Sequence, residues 1–491
     1  MSSERVLPAA PPELHPLVSV EWHGELRLRA ERLVGVRLTK SEAQAAPRLE
    51  LRHSGTGPAF ATADLRLRLR PVLRVGEWSE IHSQIDLPGG MVLGTDPAAS
   101  SLAERYTGET GQRPIGGGIQ VKRLWLQARV FEYGQVELGR APDHFGLGIL
   151  RNQGGDLLGD FQSDVDRVAV RADLFGFRWL LARDSLASWP PETAGSGTVT
   201  HSLEDAADVT RWLLEIQSGR VRHDRGLRWG AAVGYTTQDV GLFLEHYADP
   251  SDCVEDGKCR ALVPRDARFI TPQVHVDWRG GGAGRPLRLQ AELALIYGTL
   301  GNTDVLDKTL TPKTIVSAGG AMRASLRTGR HEWQLELGGA TGESDGGFGV
   351  LDTDNFKRED GRNRSLLTGF RFHRNYRVDG ILFRDVIGAV ANTLYLRPDW
   401  QLHLYEGGER ERLSLGVGCL IAAAASADAT PGGGSLLGVE PSFSLEYRAG
   451  RAIARLGGSG LLPGAAFALP GPTGREAEPA WRVESVLQLG F

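Results

Sequence analysis

Asp64-Leu-Arg-Leu-Arg-Leu-Arg-Pro-Val-Leu-Arg-Val75 is the stretch on which the fold turns. Leu65, Leu67, Leu69 and Leu73 share one parity, and Arg66, Arg68, Arg70 and Arg74 share the other. Same-face neighbours in a helix lie three or four residues apart, whereas residues two apart line one face of a strand. The stretch therefore reads as a strand with a leucine face and an arginine face. One such strand fits any half-buried sheet, so the class of protein depends on how often the pattern recurs.

It recurs from Glu21 to the end of the chain. Leu26 and Leu28 oppose Arg27 and Arg29; Leu124, Leu126 and Val130 oppose Arg123, Gln127 and Arg129; Val168 and Val170 oppose Arg167 and Arg171. Further on, Leu289, Leu293 and Leu295 oppose Arg288, Gln290 and Glu292, and Trp333, Leu335 and Leu337 oppose Glu332, Gln334 and Glu336. Segments of about ten alternating residues are the signature of strands that meet hydrocarbon on one side and water on the other. The 491 residues, 24% charged and 7% aromatic, contain no apolar run approaching the roughly 20 residues of a membrane helix. Helical membrane insertion is excluded. The expected fold is all-β: a transmembrane antiparallel up-and-down β-barrel of about 16–20 strands, with 18–20 the best count.

Connection lengths support the same architecture. Tyr133–Gly134, Phe175–Gly176, Thr328–Gly329–Arg330 and Ala449–Gly450 read as tight turns. Gly94–Gly117, Ser185–Ala206, Gln238–Ala267, Ser344–Gly361 and Leu461–Pro479 read as long loops, the extracellular set of such a barrel. Thr236–Tyr247 and His373–Asn392 fit no strand cleanly. Residues 1–18 read as a flexible Pro-rich lead-in, and 19–491 as a single barrel. The opening MSSERVLPAAPPELHP lacks the basic start and apolar core of a secretory signal, and reads as the start of a mature or re-started chain.

The last strand places Trp481, Val483, Leu487, Leu489 and Phe491 on one face and ends on the aromatic. It resembles the terminal strand of Gram-negative outer-membrane proteins. That resemblance implies an assembly signal carried by Trp481, Leu489 and Phe491, read by the barrel-assembly machinery. Gln135-Val-Glu-Leu-Gly-Arg-Ala-Pro-Asp-His-Phe-Gly-Leu-Gly148 is similar to the G-R…G-x-G segment of porin-like and alginate-export-like barrels. In that family the following loop commonly folds into the lumen. The resemblance thus implies a constriction loop carrying Asp156, Asp160 and Asp164.

Arginine on a lipid face near the bilayer midplane costs roughly 2–4 kcal/mol, so the alternating arginines imply a wet interior. Arg27, Arg29, Arg66, Arg68, Arg70, Arg123, Arg129, Arg167 and Arg171 are the expected basic pore lining, with Glu336 and Glu446 on the acidic side. Two readings stay open: a field that orders polar or anionic solutes in a channel, or an Arg/Glu lattice that stiffens a plugged structural or adhesion barrel whose loops bind partners.

A net charge of −4 with both signs spread along the chain argues against a nucleic-acid partner. Expected partners are outer-membrane lipids, the assembly machinery and small polar solutes, with the chain a monomer or homotrimer. Cys253 and Cys259 are a candidate loop disulfide, and Cys419 reads as a small lipid-facing residue. His144 beside Asp143 and His246 beside Glu245 lack a companion nucleophile in any recognisable motif, so no enzymatic activity, cofactor or metal is expected.

Overall fold

Eighteen antiparallel strands close into a barrel, each hydrogen-bonded to its neighbours in the sequence. The computed structural model describes residues 17–35, 59–93, 119–187, 209–218, 226–245, 259–282, 285–301, 312–343, 366–408, 410–468 and 477–491. Closure is made by the first full strand, Gly24–Val34, against the last, Ala480–Gly490, in register from Glu25 opposite Gly490 to Val34 opposite Trp481. The short pieces Val18–Glu21 and Val72–Val75 extend the first hairpin, with Glu21 opposite Val72. A closed sheet leaves no edge, which hydrocarbon requires because it offers backbone groups no hydrogen-bond partner.

Burial is inverted relative to a soluble protein. Along Gly24–Val34, Arg27 is 3% exposed and Arg29 1%, while Leu26 and Leu28 between them are 36% and 41% exposed. Leu293, Trp333, Leu335, Val417, Leu445, Leu487 and Leu489 likewise lie on the outer surface. The apolar parity of every strand in the sequence reading faces outward, as a hydrocarbon solvent demands.

The tight turns form at Gly176, Gly329 and Gly450, whose φ angles of +80°, +59° and +60° lie in the left-handed region that favours glycine. The count of 18 falls within the expected range. Gln238–Ala267 is not wholly a loop: strand Gly226–Glu245 pairs with Cys259–Gly282 as far as Glu245 opposite Cys259. The alternation there is blurred by Gly241 and by a register shift between Gln238 and Val240, which is why this strand was hard to place. Cys253, His246 and the segments 94–117 and 344–361 lie outside the described residues.

The apolar core of the molecule sits inside the barrel. Phe370, Phe372, Ile381, Leu382, Val386 and Val390, from the connection that precedes strand Thr393–Gly407, pack with Ile149 and the wall residues Tyr395, Leu420 and Leu461. Phe145 nestles in a pocket of small wall residues, Ala169, Ala182 and Ala232.

Candidate functional site

Two chain segments fill the lumen. The first, 143–163, links strands Gly134–Pro142 and Asp164–Leu174; the second, 366–392, precedes Thr393–Gly407. Charged side chains on the wall decide where each segment rests.

Asp160, at the tip of the first segment, accepts from Arg27 at 3.2 Å, from Arg29 at 2.9 Å and from Arg377 of the second segment at 2.7 Å. The three guanidiniums hold its carboxyl well below the usual carboxylate range, against the opposing effect of burial. Arg66 donates to the Gly159 carbonyl at 2.8 Å and to Glu25 at 2.7 Å. Arg123 reaches Asp164 at 2.5 Å and the Gln153 carbonyl at 2.7 Å. Asp143 gathers Arg151, Arg167 and Arg211 at 2.9, 3.1 and 2.7 Å. From the opposite wall, Glu292 accepts the backbone N–H groups of Leu147, Gly148 and Ile149 at 2.5, 2.9 and 3.4 Å.

The second segment is held in the same manner. The phenols of Tyr376 and Tyr395 donate to Glu336 at 2.8 and 3.0 Å, and Arg323 pairs with its other oxygen. Glu440 accepts the backbone N–H groups of Gly380, Ile381 and Leu382, the first at 2.7 Å. Arg384 bridges Glu31 at 3.0 Å and Glu484 at 2.9 Å, one on the first strand of the barrel and one on the last. The two segments also touch each other, through Asn375 with Asp156 and Asp160 and through the His373 N–H on the Ile149 carbonyl at 2.6 Å.

These contacts place the residues singled out in the sequence. Arg27, Arg29, Arg66, Arg68, Arg123 and Arg167 are inward and buried, and each guanidinium is engaged by carboxylates or carbonyls; Arg68 meets Asp86 at 2.7 Å and Arg167 meets Asp184 at 2.7 Å. Arg70 lies partly open 3.8 Å from Glu25, Arg171 pairs with Glu137, and Arg129 is exposed beside its tight turn. Glu336 is sealed beneath the two tyrosines, and Glu446 pairs with Arg448. Asp160 and Asp164 meet the early strands through Arg27 and Arg29 and through Arg123, whereas Asp156 is exposed and meets Asn375 of the second segment. Trp481, Leu489 and Phe491 lie on the outer face, with the Phe491 and Gly24 backbones exchanging 3.0 Å hydrogen bonds.

Tyr376, Arg377 and Arg384 escaped the sequence reading, which took Asp143 only as a neighbour of His144 and Glu292 and Glu440 only as acidic wall positions. Its one usable signal was negative: 373–392 carries charge but no period of two, as expected of a segment that lies inside the barrel instead of forming its wall.

Open space remains on the tight-turn side of the second segment. A chamber of about 360 Å³ is lined by Arg397, Asp399, Gln401, Glu440, Arg455 and Glu484, with Gly416, Gly418, Gly457, Ser442 and Ser444 keeping side-chain bulk out of it. Above it sits Asp379, whose carboxyl is pushed up to about 7 by burial and by the neighbouring Glu440. A folded-state pKa raised above the unfolded value stabilises at low pH, and that stability is lost as pH rises through about 7. The protection factors of the Gly380–Leu382 amides, corrected for the intrinsic pH dependence of exchange, are therefore expected to be higher roughly one pH unit or more below that titration than the same distance above it. Asp379→Asn should abolish the difference; an unchanged pH dependence in that variant would refute the assignment.

No family model matches the chain, and no curated protein does. Among solved structures, Pseudomonas aeruginosa OccK8 (OprE) aligns with a TM-score of 0.51 at 8% identity, over 96% of this chain and 98% of that one. Pseudomonas aeruginosa OpdQ aligns with a TM-score of 0.50 at 9% identity, over 96% and 97%. The chain shares the barrel fold of these two structures. Its lipid-facing belt and its closure without an edge suit the bacterial outer membrane.

Proposed function

We propose that the chain is an outer-membrane channel for small polar or anionic solutes. The observation that carries this reading is the polar chamber beside the second inner segment, whose water-accessible space is lined by Arg397, paired with Asp399 at 2.9 Å, and by Arg455, Glu440 and Glu484. Opposed charges at close quarters order dipolar and charged solutes without binding them too tightly to leave. The early-strand arginines serve a different purpose in this reading. They hold the first inner segment in place, so the route follows the glycine- and serine-lined late strands. We take the protein to work without catalysis, in company with lipids and the assembly machinery.

The dry packing of Phe370, Phe372, Ile381 and Val390 in the lumen favours a second reading, a plugged structural or adhesion barrel. Single-channel recording of the purified protein in planar bilayers separates the two. Discrete conductance steps, smaller than those of an unobstructed barrel of this size, are the expected result. Their absence across both polarities, with the barrel shown to be inserted, would leave the plugged reading in its place.

A further inference from the structure

A second cavity lies on the outside of the wall, opposite the chamber. It is a groove of about 740 Å³ whose apolar lining includes Leu287, Leu326, Trp333, Leu335, Trp400 and Val417. Chamber and groove share Gln334, Asp399, Trp400, Val417 and Gly418 in their linings, so only the thickness of the sheet separates them.

The ladder of the sheet is interrupted at that spot. Strands Thr393–Gly407 and Glu411–Ala424 pair at Leu396 with Ile421 and again at Asp399 with Gly418, in unchanged register, but not at Arg397 and Pro398 between them. Pro398 has no N–H to give, and inside a sheet proline removes a ladder bond. Pro272 and Pro441 interrupt their own ladders in the same way, between Ile270 and Gln273 and between Val439 and Ser442, yet neither lines the chamber or the groove. Across the gap from Arg397 and Pro398 stand Leu420, which lines the chamber, and Cys419, which lines the groove; beside it Gly418 carries no side chain, and a Cβ there would collide with the Asp399 carboxylate that lies over it.

We propose that the wall at Pro398 is a lateral portal for small amphiphiles. The polar end of such a molecule is held in the chamber among Arg397, Asp399 and Arg455, and its apolar part passes between the two strands into the outer groove and so into the bilayer. The chemistry on the two sides matches the two halves of that ligand: charged and hydrated within, aromatic and aliphatic outside. Passage requires the strands to part where a backbone hydrogen bond is already missing.

The test uses the full-length protein in lipid nanodiscs and a trifluoromethyl m-iodophenyl diazirine, which resides in hydrocarbon. After photolysis, mass spectrometry is expected to find adducts on the lumen-facing Gln401 and Ser444 as well as on Leu335 and Val417 outside. A reversible staple, Leu396→Cys with Ile421→Cys in a Cys419→Ser background, should suppress the lumen adducts severalfold when oxidised and restore them when reduced, leaving the outer adducts unchanged. Pro398→Val should act like the oxidised staple. Lumen residues left unlabelled in the parent protein, or labelled equally with the staple closed, would overturn the portal. The conductance reading stands or falls separately, because a channel without a portal still conducts and a portal without conductance still labels.

Discussion

Arg384→Ala is expected to open the barrel at its closure. Glu31 and Glu484 are directly opposite each other on the first and last strands, both inward and both buried. Two like charges across a ladder repel, and what reconciles them is the guanidinium of Arg384, reaching 3.0 Å to one and 2.9 Å to the other, together with Arg482, which also contacts Glu31. Removing one partner of a buried ion pair costs about 3–5 kcal/mol, because a buried charge is left uncompensated. Here it removes one of the two arginines, Arg384 and Arg482, that contact both carboxylates. The expected result is loss of the compact, heat-modifiable band on unboiled gels and a marked fall in the denaturant midpoint. Restoration by the double variant Arg384→Ala with Glu484→Gln would show that the like-charge pair is responsible. A variant as stable as the parent would mean that Arg482 alone neutralises the seam.

Asp160→Asn should have the largest effect on conduction. Its carboxylate ties the early wall, through Arg27 and Arg29, to the second inner segment, through Arg377. Arg27 and Arg29 retain Asp64, but Arg377 loses its carboxylate partner in that contact. A loss of about 3 kcal/mol corresponds to roughly a hundredfold change in the balance between docked and released states. Single-channel records of the variant should therefore show larger and noisier openings. The same geometry predicts the acid response of the parent protein. A carboxylate with a depressed pKa stabilises above its unfolded pKa and loses that contribution only as pH falls through the folded value. Conductance should thus stay level as pH is lowered through roughly 4, the ordinary carboxylate range, and rise only below it. A rise centred on that ordinary range in the parent would contradict the argument.

The wall of this protein could be read from its sequence because a strand between hydrocarbon and water must alternate, and Leu65 to Arg70 does so without exception. What the arginines do could not be read in the same way. Alternation reports which face a side chain takes, not what it meets there, and the partners of Arg27, Arg66 and Arg123 come from a segment about a hundred residues away in the first two cases and about forty in the third. Of the arginine set, Arg27, Arg29, Arg66 and Arg123 hold the first inner segment, Arg68 and Arg171 pair with wall carboxylates, and Arg129 stays exposed. The second inner segment was less legible still. Tyr376, Arg384 and the N–H groups of Gly380 to Leu382 find their places only through wall residues that already existed as ordinary inward positions, Glu336, Glu31, Glu484 and Glu440.

The hairpin of Gly226–Glu245 and Cys259–Gly282 runs to 20 and 24 residues, when about ten tilted residues suffice to cross a bilayer. About half of each strand must then stand above the headgroups as a ladder-bonded mast rooted in the cylinder. Its ladder runs as far as Glu245 opposite Cys259, so the hairpin carries its own backbone pairing beyond the reach of the hydrocarbon.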